Sequence, residues 1–326
     1  MTRRPHTQRG AALLAALLTV ALVTTLAAGA MWQQWRLTEV ESLTRERAQA
    51  QWLLTGALDW ARVILREDAR AAGNGAATDH LAEPWAVPLQ ETRLSSFLAG
   101  GQAQPGDSAL DARLSGRIID EQGKLNFRNL IENPGQQVQI AAAERLSFGR
   151  LFTALGLPPA ELALLQQNLL AAYDPESSAA PEAPLRPLRL EQLATLGLSQ
   201  ATLARLAPHA TWLPEPTPLN LNTASALALH ASLPGLELAQ AQSLVAQRER
   251  RHFSSIDDLR ALAPEAGRQL NPQRHAVTSR HFRVRGLLQL DGATLEQDAL
   301  VVRNGIRVRV LWRAHGGLLR HDALLQ

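Results

Sequence analysis

Hydrophobic and polar positions divide the chain into three regimes. Residues 11–30, AALLAALLTVALVTTLAAGA, carry no charge, and the uncharged run continues to Trp35. A helix of that length spans roughly 30 Å, the thickness of a bilayer's hydrocarbon core, so the pattern predicts one membrane span. Arg3, Arg4 and Arg9 precede it without an acid among them. Basic residues before a span stay on the cytoplasmic side, which predicts that everything after Trp35 is translocated. The small residues Ala28-Gly29-Ala30 also suit a cleavable secretory signal. Against that alternative, the stretch 31–73 holds no Pro, and Leu37, Val40, Leu43, Ala50, Leu54, Leu58, Ala61 and Leu65 recur mostly at three- and four-residue steps. That is the stripe of an amphipathic helix continuing the span as one rod of on the order of 90 Å.

The second regime is mixed. Residues 74–113 are rich in Gly, Pro, Asn and Asp and read as loop with one short helix or strand. SGRIIDEQGKLNFRNL, residues 115–130, predicts two short strands around a turn at Glu121–Lys124, with Gly123 supplying the turn. From about 141 to 275 the period becomes helical, with candidate helices at 144–155, 159–172, 189–195, 199–206, 223–232, 238–250 and 255–262 and a loop at 173–187. The third regime alternates. Strands are predicted at 281–290, 295–303 and 306–313, with Asn304-Gly305 as the hairpin turn. Ile306, Val308, Val310 and Trp312 are expected on one face, and Arg307, Arg309, Leu311 and Arg313 on a solvated other face. The fold class that follows is α+β: a long N-terminal helix packed on an antiparallel sheet, with a large all-α insertion between parts of the sheet.

Composition narrows the chemistry. The 326 residues hold 33 basic and 30 acidic side chains, and no cysteine. Disulfides, thiolate metal sites and cysteine nucleophiles are therefore excluded. The nine histidines are dispersed without a His-x-x-x-His pair, and no nucleophile elbow or phosphate loop is present, so no enzyme is expected. Asp174, Glu176 and Glu182 on the 173–187 loop are the candidate ligands for Ca²⁺, a hard cation that takes oxygen donors. Residues 219–262 resemble a helix-hairpin-helix with its turn at Leu233-Pro234-Gly235, which suggests a membrane-anchored DNA receptor for DNA uptake as the alternative function. Glu237 stands where such a hairpin usually carries its second glycine and would repel phosphate, so no nucleic-acid partner is expected.

Two resemblances carry the reading further. Arg9-Gly10-Ala11-Ala12-Leu13-Leu14, before an unbroken helix, resembles the prepilin-peptidase region of type IV pilins and pseudopilins. It implies cleavage after Gly10 by prepilin peptidase and methylation of Ala11. Loss of Arg3, Arg4 and Arg9 would leave 30 basic against 30 acidic residues. Most members carry Glu at the fifth mature position; here it is Ala15, the mark of a subunit with no neighbour ahead of it. The ordered set Asp120-Glu121-Gln122-Gly123-Lys124-Leu125-Asn126, Leu219-Asn220-Leu221-Asn222-Thr223-Ala224, Arg248 to Phe253 and Ser279-Arg280-His281-Phe282 resembles the type II secretion system protein K family. That resemblance implies a non-enzymatic inner-membrane subunit at the filament tip, partnered by the I and J minor pseudopilins, with its bulk in the periplasm. It also implies a pilin-like fold divided into a leader 1–10, a transmembrane part 11–30, a periplasmic helix 31–73, a first body part 74–135, a helical insertion 136–275 and closing strands 276–326.

Overall fold

The computed structural model describes residues 9–71, 73, 78–93, 112–133, 137–178, 180, 182–290, 293–316 and 319–320. Leader residues 1–8, and residues 94–111 of the predicted loop, lie outside the described residues. The chain divides into two compact units, 1–53 and 54–326.

The first unit is the beginning of helix α1 (Arg9–Ala71), 63 residues without a break. No proline interrupts it, and the hydroxyls of Thr19, Thr24 and Thr25 donate to carbonyls one turn back. Every side-chain hydroxyl in the apolar run is thus satisfied within the helix, as lipid requires. Leu13, Leu14, Leu17, Leu18, Val20, Leu22, Val23 and Leu26 are all exposed. Among the described residues this is the one helix long and apolar enough to cross a membrane. The run ends at Trp32 and Trp35, whose rings lie 5.4 Å apart.

In the second unit, five strands form an antiparallel sheet in chain order: β1 (Leu89–Arg93), β2 (Ala112–Asp120), β3 (His281–Leu290), β4 (Ala293–Asn304) and β5 (Arg307–His315), with Leu319–Arg320 also pairing on β4. Only the later part of the predicted stripe of α1 is buried: Leu58, Ala61 and Leu65 pack with Trp85, Phe282, Val284, Ala299, Val301 and Val308, whereas Leu37 and Val40 at its start are exposed. The β4–β5 hairpin forms, but its central residues are Gly305 and Ile306, since Asn304 pairs with Arg307. Gly305 takes φ +57°, which a glycine at the first central position of a two-residue loop readily supplies.

One face assignment is overturned. The register slips between Leu300 and Val301, so Val310 pairs with Val301 while Trp312 pairs with Leu300. Paired residues share a face and neighbours along a strand alternate. Val310 therefore faces α1 and Trp312 faces the opposite side, beneath Arg189 and Arg283. The arginine row is split the same way, Arg309 from Arg313. A bulge of one residue inverts everything beyond it, and alternation alone does not locate it.

The helical insertion leaves the sheet after β2 and returns at β3. It comprises α2 (Ala142–Ala154), α3 (Pro159–Tyr173), a 3₁₀ turn at Leu190–Leu196, α4 (Gln200–Leu206), α5 (Ala226–Ser232), α6 (Leu238–Arg250) and α7 (Ile256–Leu262), with two further single turns. Its core is separate, built largely of leucine around a stacked Phe127–Phe148 pair 4.1 Å apart. The predicted hairpin at 115–130 is also corrected. Glu121–Gly123 is a 3₁₀ turn, and Leu125–Asn126 pairs in parallel with Ala210–Thr211 inside the insertion rather than folding back on β2. Gly123 serves close approach: a Cβ there would lie 2.9 Å from the Thr223 carbonyl oxygen. Gly123→Ala is expected to cost about 1–3 kcal/mol through overpacking, read as a lower unfolding midpoint in denaturant.

Candidate functional site

The four motifs separated in sequence meet at one place, where the insertion joins the sheet. Asp120, at the end of β2, is buried, and its Oδ2 accepts from Ser279 Oγ (2.6 Å), Thr223 Oγ1 (2.6 Å) and Asn220 Nδ2 (3.0 Å). Its Oδ1 accepts from the Gln122 amide at 2.8 Å. Asn220 is fully buried; its amide group also reaches the Asp79 carbonyl (3.1 Å) and Ser279 Oγ (2.9 Å), and its Oδ1 accepts from Asn222 N–H. Gln122 Oε1 accepts from the Arg280 amide at 2.7 Å and the His281 amide at 3.2 Å. Asn126 donates to the Glu215 carbonyl and Thr217, and accepts from Leu213 N–H.

The remaining motif residues brace this centre. Asn222 exchanges two bonds with the Phe253 backbone, and Arg248 donates to the Leu221 carbonyl, which accounts for the spacing from Arg248 to Phe253. Lys124 donates to Glu121 at 2.8 Å, and Thr211 to the other oxygen of Glu121. Buried polar groups cost little only when each finds a partner, so every amide and carboxylate here fixes the relative position of two elements.

A second cluster adjoins it, and sequence pattern did not find it. Arg303, buried in β4, pairs with Asp79 and, at 2.6 Å, with Asp68, and donates to the Ser279 carbonyl. Ser279 N–H in turn donates to Asp79 Oδ2. Asp68, Asp79 and Glu83 bring one carboxylate oxygen each within 4.8 Å of one another. Glu83 accepts from Trp85 Nε1 and the His80 amide. The available signal was Arg303 itself, a cation directly after the apolar run Ala299–Val302 and within the same strand.

Electrostatics at the two ends oppose each other. Burial pushes Asp120 up to about 6, against hydrogen bonds that lower it, and pushes Glu83 up to about 7. A raised acid contributes its full stability below its unfolded value and loses it as pH rises through the folded value. Burial holds His275 and His281 down to about 4. A depressed base loses stability as pH falls from its unfolded value of 6.5 toward 4. The two trends offset each other between pH 4 and 7.

The sequence-predicted sites fall elsewhere. Gly10, Ala11 and Ala15 all lie in α1. Asp174 follows α3 and accepts from the Ser177 amide; Glu176 and Glu182 are exposed. These three are not gathered into one ligand sphere, and three carboxylates fall short of the six to eight oxygens Ca²⁺ takes, so they do not fit the ion. Adding a calcium chelator is expected to leave the melting temperature unchanged within about 1 °C by calorimetry. At the hairpin turn, Glu237 occupies the N-cap of α6 and its amide donates to Gln240, so a carboxylate stands where a phosphate would bind.

The family model for type II secretion system (T2SS) protein K matches residues 219–278, the segment that carries Asn220, Asn222, Thr223 and Arg248. The match extends far beyond it. Type II secretion system protein K of Pseudomonas aeruginosa is 28% identical over 332 residues, covering 96% of this chain and 91% of that protein. The likeness to type II secretion protein K thus runs through nearly the whole chain. The protein K of Pectobacterium carotovorum subsp. carotovorum is 25% identical, covering 95% of this chain and 97% of that one. A chain in the crystal structure of the GspK-GspI-GspJ complex from the enterotoxigenic Escherichia coli type 2 secretion system has the same fold, with a TM-score of 0.62 and 18% identity, covering 84% of this chain and 98% of its own. The residues that carry the resemblance are thus those of the buried junction.

Proposed function

We propose that the chain is a minor pseudopilin of the type II secretion system, a non-enzymatic subunit of the inner membrane that assembles with the I and J minor pseudopilins at the filament tip. The observation that carries this is similarity over nearly the whole length to two protein K sequences, together with the fold shared with a chain of the GspK-GspI-GspJ complex. The single apolar helix supports a one-pass anchor with the bulk on the periplasmic side. Gly10 and Ala11 are the proposed cleavage and methylation positions. Ala15 supports the tip position, because a carboxylate in lipid is costly without a partner and a leading subunit has no amine ahead to pair with one.

The test is co-purification of the full-length chain, in detergent, with the I and J proteins of its own system. A stable ternary complex is expected; none at micromolar concentrations would overturn the assignment. If Ala15→Glu left filament initiation intact, while the corresponding Glu proved dispensable in the other subunits, the tip argument would fall. DNA uptake is not retained, since the turn that would hold phosphate is occupied by Glu237.

A further inference from the structure

One row crosses the α1 side of the sheet without bulk. Leu89 of β1 pairs with Gly116 of β2, Gly116 with Gly286 of β3, and Gly286 with Gln297 of β4. Two adjacent glycines in central strands weaken a sheet and leave a hole in its face. Here the hole has fixed walls. A Cβ on Gly286 would lie 3.2 Å from Leu54, and one on Gly116 would lie 3.0 Å from the Arg285 carbonyl oxygen. Helix residues Ala57 and Trp60, with Trp85 and Val87, complete a cleft lined by this row. At its end, Gln297 is 3% exposed, and its Oε1 has no hydrogen-bond donor among the described residues.

A buried acceptor left without a donor costs about 1–3 kcal/mol, and apolar walls reject a charged visitor. The fitting occupant is flat, apolar and armed with one N–H or O–H. Those are the properties of a tryptophan or tyrosine side chain, the residues that most often anchor a protein interface in a pocket. We infer that this slot receives one tryptophan or tyrosine side chain from a neighbouring subunit of the filament, its ring between α1 and the glycine row and its polar hydrogen on Gln297 Oε1. The inference rests on the proposed assembly with other pseudopilins and adds where on this chain a partner inserts.

Two full-length variants test it. Gln297→Leu removes the acceptor and keeps the volume, while Ala57→Phe plugs the slot from the helix side. Both are measured for melting temperature alone and for affinity toward the co-purified I and J partners. Gln297→Leu is expected to leave the melting temperature unchanged or raised, because a lone buried acceptor is gone, yet to weaken the complex about tenfold. Ala57→Phe is expected to weaken it at least as much without unfolding the chain. A benzoylphenylalanine placed at position 57 is expected to crosslink to a partner. A wild-type complex that forms but ignores both substitutions, or a crosslink only within the chain itself, overturns the slot. Failure of the wild-type chain to form any complex overturns the assembly reading and the slot's occupant with it.

Discussion

Replacing Arg303 with methionine is expected to lower stability by about 3–5 kcal/mol, the usual cost of removing one partner from a buried ion pair. The guanidinium holds Asp68 and Asp79 together, and both carboxylates are nearly dry. Without it, two acids and the adjoining Glu83 face one another with no cation between them. At roughly 2–4 °C for each kcal/mol in a chain of this size class, the melting temperature should drop by on the order of 10 °C. The defect should also depend on pH in a defined sense. Burial already raises Asp68, and Arg303 is the main influence lowering it. Removing that influence raises Asp68 further, and the stability held by a raised acid is lost as pH rises through its folded value. The variant should therefore be closer to wild type at pH 5 than at pH 8. A defect that is equal at both values, by calorimetry, would show that lost packing over Phe282 rather than charge accounts for it. Adding Asp79→Asn should recover part of the loss.

Asn220→Ala is expected to cost about 3–4 kcal/mol, measured by denaturant midpoint with unchanged slope. Asn220 bonds Asp120, Ser279 and the Asp79 carbonyl and accepts from Asn222, so its removal leaves several buried groups short of a partner at once. Asn220→Asp should be worse near neutral pH than near pH 5, because it sets a second carboxylate against Asp120. Ser279→Ala should be milder, since Asp120 keeps its bonds from Thr223, Asn220 and Gln122. If Asn220→Ala changed stability by less than about 1 kcal/mol, the junction would not be the clamp described.

Much of this architecture was legible because periodicity reports burial. The later members of the predicted stripe, Leu54, Leu58, Ala61 and Leu65, are all buried, while Leu37 and Val40, nearer the apolar run, are exposed. The helices of the insertion end within a few residues of their predicted bounds because Pro and Gly punctuate them. The failures share a cause. The bulge after Leu300, the parallel pairing of Leu125–Asn126 with Ala210–Thr211 and the salt links of Arg303 all depend on distant segments. Local pattern carries no information about which distant carboxylate an arginine will meet. The polar motifs were recognisable as a set, yet nothing in the letters Asp120, Asn220 and Ser279 said that they touch.

The insertion departs after Asp120 and returns at His281, and Asp120 pairs with Phe282 across neighbouring strands. Its two chain crossings are thus side by side, like the legs of a clip, and two crossings alone would let it swing. The bonds from Asp120 to Asn220 and Thr223, in the middle of the insertion, add a third tie. Three points define a plane, so thrust or torque applied to the sheet passes into the helical block without a swivel, and the two bodies travel as one rigid head.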